Sequence, residues 1–135
     1  MILNEREPCI WEMDVTAVED LNARVVRSTA GEIDIEELGL NIKPGPACSG
    51  FVSNVEGVLT RAESAVKSAL LSAEGDEIRA AMEVLENINK AREGEFSFTL
   101  KITDPSGNSG IVSPKAKRTK LDVEREDGMS FVPYN

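Results

Sequence analysis

Between Ser53 and Gly94 the apolar residues recur at steps of three and four, and on either side of that block they recur at every second position. A period near 3.6 marks a helix buried along one stripe, and a period of two marks a strand buried on one face. A chain that changes period in this way places a helical segment inside a β frame. Within the block, Val55, Val58, Leu59, Ala62, Val66, Ala69 and Leu70 form one stripe of a helix of about five turns. Ser53-Asn54-Val55-Glu56 reads as a capping box at its start. Glu74-Gly75 ends it, and Asp76 can cap a second helix carrying Ile78, Ala81, Met82, Leu85, Ile88 and Ala91, with Gly94 as its stop. So short a connection makes the pair an antiparallel αα-hairpin.

The β frame is read from both flanks. Cys9–Val15 alternates, Asp20–Ser28 is rich in β-branched residues, and Glu32–Ile35 leads through Leu38, Leu40 and Ile42 to a turn at Lys43-Pro44-Gly45-Pro46. Phe51 and Val52 add one more strand. After the helices, Phe96, Phe98, Leu100 and Ile102 alternate with Ser97, Thr99, Lys101 and Thr103, the clearest strand in the chain. Asp104-Pro105-Ser106-Gly107 suits a type I turn that returns Ile111-Val112 as the partner strand. Leu121 and Val123 form a short edge strand, and residues 127–135 fray. The class is α+β, mainly β, as one domain over residues 1–126.

Composition removes whole classes of chemistry. With 135 residues, 41% of them apolar, the chain has enough for one real core. It holds no histidine, which removes Ser-His and Cys-His nucleophile pairs and imidazole metal sites. Acidic residues outnumber basic ones 24 to 15, for a net charge of −9, so nucleic-acid binding starts without the basic face it needs. No apolar run reaches a membrane span and the first residues are charged, which reads as a soluble, cytoplasmic protein. Cys9 and Cys48 are too few for a zinc site and read as buried hydrophobes.

The candidate sites are few. The glycine-rich stretch Asp104–Gly110 lacks the lysine and helix of a phosphate loop and reads as a hairpin turn. The basic run Lys115–Lys120 has no interleaved aromatics and reads as a solvated loop. Glu36 and Glu37, on a strand, would point to opposite faces, and Glu12 and Asp14 share the solvent face, so neither pair is an acid–base dyad. Asn108 and Ser109 order their own loop by bonding its backbone, or, with Asp104, they present a partner-binding surface together with Asn54 and Glu56 at the start of the first helix. From residues alone this is a small binding or scaffold domain, non-catalytic, without metal or other cofactor.

Four segments in order carry a resemblance: Asp20-Leu-Asn-Ala-Arg-Val-Val-Arg-Ser28, Ile35-Glu-Glu-Leu-Gly-Leu-Asn-Ile-Lys-Pro-Gly45, Val55-Glu-Gly-Val-Leu59 and Phe98-Thr-Leu-Lys-Ile-Thr-Asp-Pro-Ser-Gly-Asn-Ser-Gly-Ile111. Together they resemble the ZPR-type zinc-finger proteins, in the short single-module form of archaea. The resemblance implies a small double-stranded β-helix, a jelly-roll-like barrel, with the helical hairpin inserted at about 54–93. It further implies docking to translation elongation factor one-alpha as a dedicated chaperone. Glu36 stands where the family has proline in its Ile-Pro-Glu-Leu motif. The family's zinc is held by a four-cysteine ribbon whose ligand positions neither Cys9 nor Cys48 matches, so no zinc is assigned to these residues. The competing reading is a small-molecule-binding β-helix of the cupin kind without metal, which needs a cavity lined by convergent polar groups.

Overall fold

A computed structural model describes residues 7–44 and 50–121. Its strands are β1 (Cys9–Val15), β2 (Arg24–Arg27), β3 (Glu32–Ile35), β4 (Leu40–Ile42), β5 (Phe51–Asn54), β6 (Phe98–Asp104), β7 (Gly110–Val112) and β8 (Lys117–Lys120). Two helices, α1 (Val55–Leu70) and α2 (Asp76–Arg92), stand between β5 and β6. The alternation at β6 is fully realised, with Phe98, Leu100, Ile102 and Asp104 buried and the residues between them half-buried. β6 is the centre of a five-stranded sheet ordered β4-β3-β6-β1-β8, and β2 is the centre of a three-stranded sheet ordered β5-β2-β7. All the strand pairs are antiparallel.

The closed barrel expected from the resemblance is overturned. No ladder joins the two sheets among the described residues. They remain two open sheets that share one core, drawn from Met13, Ile33, Leu100 and Ile102 of the larger sheet and Val25 and Ile111 of the smaller. Val55, Val58, Leu59 and Ala62 of α1 and Ile88 and Ala91 of α2 complete it. Where β1 passes β7, the Trp11 ring packs at Gly110, so side chains instead of backbone bonds fill that seam.

Local readings shift in instructive ways. Asp20 belongs to a short 3-10 helix, Val18–Asn22, and the strand starts only at Arg24. Glu36 and Glu37 lie in another, Glu36–Leu38, closed by Gly39 in the left-handed region. Ser53 does not cap α1, because the β2–β5 ladder runs on to pair Arg24 with Asn54. The cap therefore falls to Asn54, whose Oδ1 accepts from the Gly57 amide at 2.8 Å. That leaves Glu56 one position short of reaching back. Gly75, with φ of 58°, precedes α2, so Asp76 is its first residue and not its cap. Phe96 precedes β6 and packs on the core from outside it.

Two strand pairings also differ. Ile111-Val112 does not return beside β6 but pairs with β2, Ile111 opposite Val25, so the Asp104–Ser109 segment carries the chain from one sheet to the other. The basic run expected as a solvated loop is in fact β8, paired with β1 from Cys9 opposite Lys120 to Glu12 opposite Lys117. Leu121 continues that line by donating to the Pro8 carbonyl at 3.0 Å. Val123, Cys48 and the expected frayed end at 127–135 lie outside the described residues.

Burial along β6 sets a stability contrast. Phe98→Ala removes a ring from the closed core and is expected to cost about 3–5 kcal/mol. Thr99→Ala loses only a half-buried hydroxyl bonded to Asp14 at 2.8 Å and is expected to cost about 1 kcal/mol or less. Urea unfolding of the two variants checks this, and equal costs would contradict the inward register of Phe98.

Candidate binding surface

Among the described residues three polar or charged side chains are buried, Arg27, Asp104 and Ser109, and they lie at one end of β2. Asp104 closes β6 and is fully buried, so protein donors take the place of bulk solvent around its charge. One carboxylate oxygen accepts from the Ser106 amide and hydroxyl, each at 2.7 Å. The other accepts from the Ser28 hydroxyl at 2.7 Å and from the Ser109 hydroxyl. Ser109 Oγ in turn accepts from the Ser28 amide at 3.0 Å. Burial by itself would raise the Asp104 pKa. The hydroxyls of Ser109, Ser106 and Ser28 and the Ser106 amide outweigh it and hold the group below its ordinary 3.8. Next to it, Arg27 Nε donates to the Gly31 carbonyl at 3.0 Å, and Nη2 to the Lys43 carbonyl at 3.2 Å.

The five residues singled out from sequence separate into two places. Asp104, Asn108 and Ser109 are at the Ser28 end of β2, with Asp104 and Ser109 turned inward and Asn108 exposed. The Asn108 amide donates to Ser106 Oγ at 3.3 Å. Asn54 and Glu56 are at the opposite end, beyond Arg24, about 13 Å away at a strand's rise per residue. There Asn54 borders a polar recess of about 300 Å³ with Asn22, Arg24 and Ser53. One contact surface cannot be made from both groups without spanning the whole length of β2.

Sequence periodicity missed a third feature. Burial on α1 ends at Ala62, and on α2 it begins only at Ile88, so the far half of the hairpin leaves the body of the protein. Arg92 clamps its root, donating to Glu63 at 2.8 Å. At the far end Leu71 is 90% exposed, Met82 54% and Ile78 45%. Met82 and Leu85 line an open groove of about 630 Å³ edged by Arg79, Glu83, Glu86 and Asn89. The available signal was the alanine content of the stripes, since small residues let two helices approach without covering the larger ones.

The outer face of the five-stranded sheet carries a shallow acidic groove of about 370 Å³, lined by Glu12, Asp34, Glu36, Glu37, Thr99 and Lys101. Glu36 and Glu37 reach it together from their 3-10 turn, so the opposite-face reasoning that set them aside does not apply. They remain exposed all the same, and Glu37 is occupied by the Thr99 amide at 3.2 Å. Among the described residues no group of three or more His, Cys, Asp or Glu could hold a metal ion, and Cys9 is a free, buried thiol. The space between the sheets, where a cupin-like ligand would bind, is filled by the core side chains named above. No helix among the described residues is long and apolar enough to cross a membrane.

Residues 19–128 match the family model described as the ZPR1 jelly-roll domain. The chain belongs to the ZPR1 family. A ZPR1-like protein of Pyrococcus horikoshii is 44% identical over 99% of this chain, and one of Methanocaldococcus jannaschii is 42% identical over 90%. The chain spans 62% of the length of each of these relatives. A protein of Schizosaccharomyces pombe named zinc finger chaperone zpr1 is 30% identical over 72% of this chain and 22% of its own length.

The Asp104 cluster makes an acid-sensitive contribution to stability. Its carboxyl is depressed in the folded state, so the contribution is complete above the unfolded value near 3.8 and is lost as pH falls through the folded value. Ser109→Ala removes one donor and is expected to lower the melting temperature by about 3–6 °C at pH 7. Asp104→Asn is expected to lower it further and to flatten the acid limb of the stability curve. Thermal melts between pH 2 and pH 7 check both, and an unchanged acid limb in Asp104→Asn would contradict the assignment.

Proposed function

We propose that this domain is a non-catalytic, cytoplasmic protein-binding module that docks translation elongation factor one-alpha and assists its folding. The observation that supports it is the helical hairpin, whose far end carries Leu71, Ile78 and Met82 in water. Exposed apolar side chains grouped on a protruding element are costly unless a partner covers them. Their setting suits a protein surface, since Glu83, Glu86 and Arg79 ring the apolar centre. The net charge of −9 favours fast association with a basic partner. The word chaperone in the name of the fission yeast relative points the same way, and the elongation factor is the partner that the family resemblance implies.

Within this reading Asp104 and Ser109 serve the frame, being buried and mutually bonded. Asn54 and Glu56 stand at the root of the hairpin and are placed to touch a partner that grips it, whereas Asn108 is at the far end of β2.

The test is binding of the purified elongation factor to the full chain by titration calorimetry. Met82→Glu and Leu71→Glu are each expected to weaken binding about tenfold or more, a hot-spot loss, with the melting temperature unchanged. Equal binding by both variants would remove the hairpin from the interface. No binding by the parent chain at millimolar concentration would remove the elongation factor as its partner.

A further inference from the structure

We propose that the outer edge of β8 accepts an extended acidic segment of a partner protein as an added strand. The backbone supplies the first half of the argument. Leu121 turns its amide to the Pro8 carbonyl. A strand residue turns its amide and carbonyl to one side and its neighbour's to the other. Lys117 and Thr119 therefore face β1, and Arg118 and Lys120 present their amides and carbonyls outward. Among the described residues β8 ends the sheet order on that side, and all four of its residues are exposed. Two outward donor–acceptor pairs two residues apart have the repeat of roughly 7 Å that a neighbouring strand requires.

Charge supplies the second half. Lys115, Lys117, Arg118 and Lys120 fall within six residues of a chain whose net charge is −9. Lys115 is committed to Asp20 at 2.7 Å, and Arg118 reaches back to the Glu7 carbonyl at 3.4 Å. Lys117 and Lys120 have no ion-pair partner among the described residues. They point to opposite faces of the sheet, so an added strand bearing carboxylates on both faces would meet one on each side. Lysines on an edge discourage indiscriminate strand pairing. Here they also select among strands, because a second β8 would set lysine against lysine while an acidic strand gains opposite Lys117 and Lys120. A nucleic acid fits less well, since β8 has no aromatic side chain for stacking and its outward amides and carbonyls match a strand, not a phosphate backbone.

The probe is a capped octapeptide of valine, threonine and glutamate with glutamates on both faces, titrated into the full 135-residue chain labelled with nitrogen-15. The expected result is shifted amide signals across β8, with slowed hydrogen exchange at Arg118 and Lys120. The same peptide N-methylated at alternate amides keeps its charge and is expected to lose binding. Lys117→Glu combined with Lys120→Glu is expected to lower affinity about tenfold. The charge-matched pair Lys67→Glu and Lys90→Glu on the helices is expected to leave it unchanged. Undiminished binding of the N-methylated peptide would overturn strand addition. So would shifts confined to other residues, tighter binding of polyphosphate or single-stranded RNA at β8, or no shift at millimolar peptide.

Discussion

Among the described residues the two sheets of this domain share no backbone ladder, and a buried polar tie between them is the Asp104 carboxylate. It closes β6, the central strand of the larger sheet, and accepts from Ser28 just past β2, the central strand of the smaller one. The cost of burying that charge is offset by four donors from three serines. Everything after Asp104 takes its direction from this point. Ser109 is bonded in place, so β7 enters the smaller sheet beside β2 and not the larger one beside β6. Gly107, at a φ of 76°, lets the loop pass against the Glu7 backbone, where any side chain would collide. Lys115 then pins the returning chain to Asp20, which starts β8 along β1.

Periodicity made the strands β1, β3 and β6 and both helices legible, because each has one face in the core and one in water. It carried no information about which strand would lie beside which. Ile111 reads as apolar whether it pairs with β6 or with β2, and the choice rests on hydroxyl contacts between residues 76 and 81 positions apart. β8 escaped for a different reason: all four of its residues are exposed, so it has no buried face and no period. The shift of the α1 cap from Ser53 to Asn54 is likewise tertiary, set by where the β2–β5 ladder stops. Asn108 and Ser109 were expected to order the loop through its own backbone, whereas Ser109 bonds the Asp104 carboxylate and the Ser28 amide; Ser28, the partner that links the sheets, carried no local signal at all.

The hairpin shows why an amphipathic stripe is not a statement of burial. α1 has 16 residues, about 24 Å of helix, whereas only its residues as far as Ala62 meet the core. Beyond that point the stripe continues over open space, and the mate helix covers it with small side chains. Ile78 and Met82 therefore satisfy the same pattern as Ile88 and end in water. The two helices are joined at the root by the Glu63–Arg92 ion pair, at the point where the stripe leaves the core.

Charge is divided across the larger sheet in a way that bears on association. On its outer face Lys101 stands between Glu12 and Asp34 in the ladder, so the middle of the face carries alternating signs. Toward β4 the balance is acidic, with Glu32 and Asp34 both bonded to Asn41 and Glu36 and Glu37 beyond them. Toward β8 it is basic. Edges of opposite sign invite copies of the sheet to join head to tail, a contact that does not close and would grow into fibres. Two features oppose that outcome. β4 has only three residues, and the 3-10 turn before it leaves little straight edge to pair. The net charge of −9 repels a second copy at long range, whereas a short acidic segment brings only its own charge to the basic edge. On these grounds the basic edge favours a single acidic strand over another whole domain.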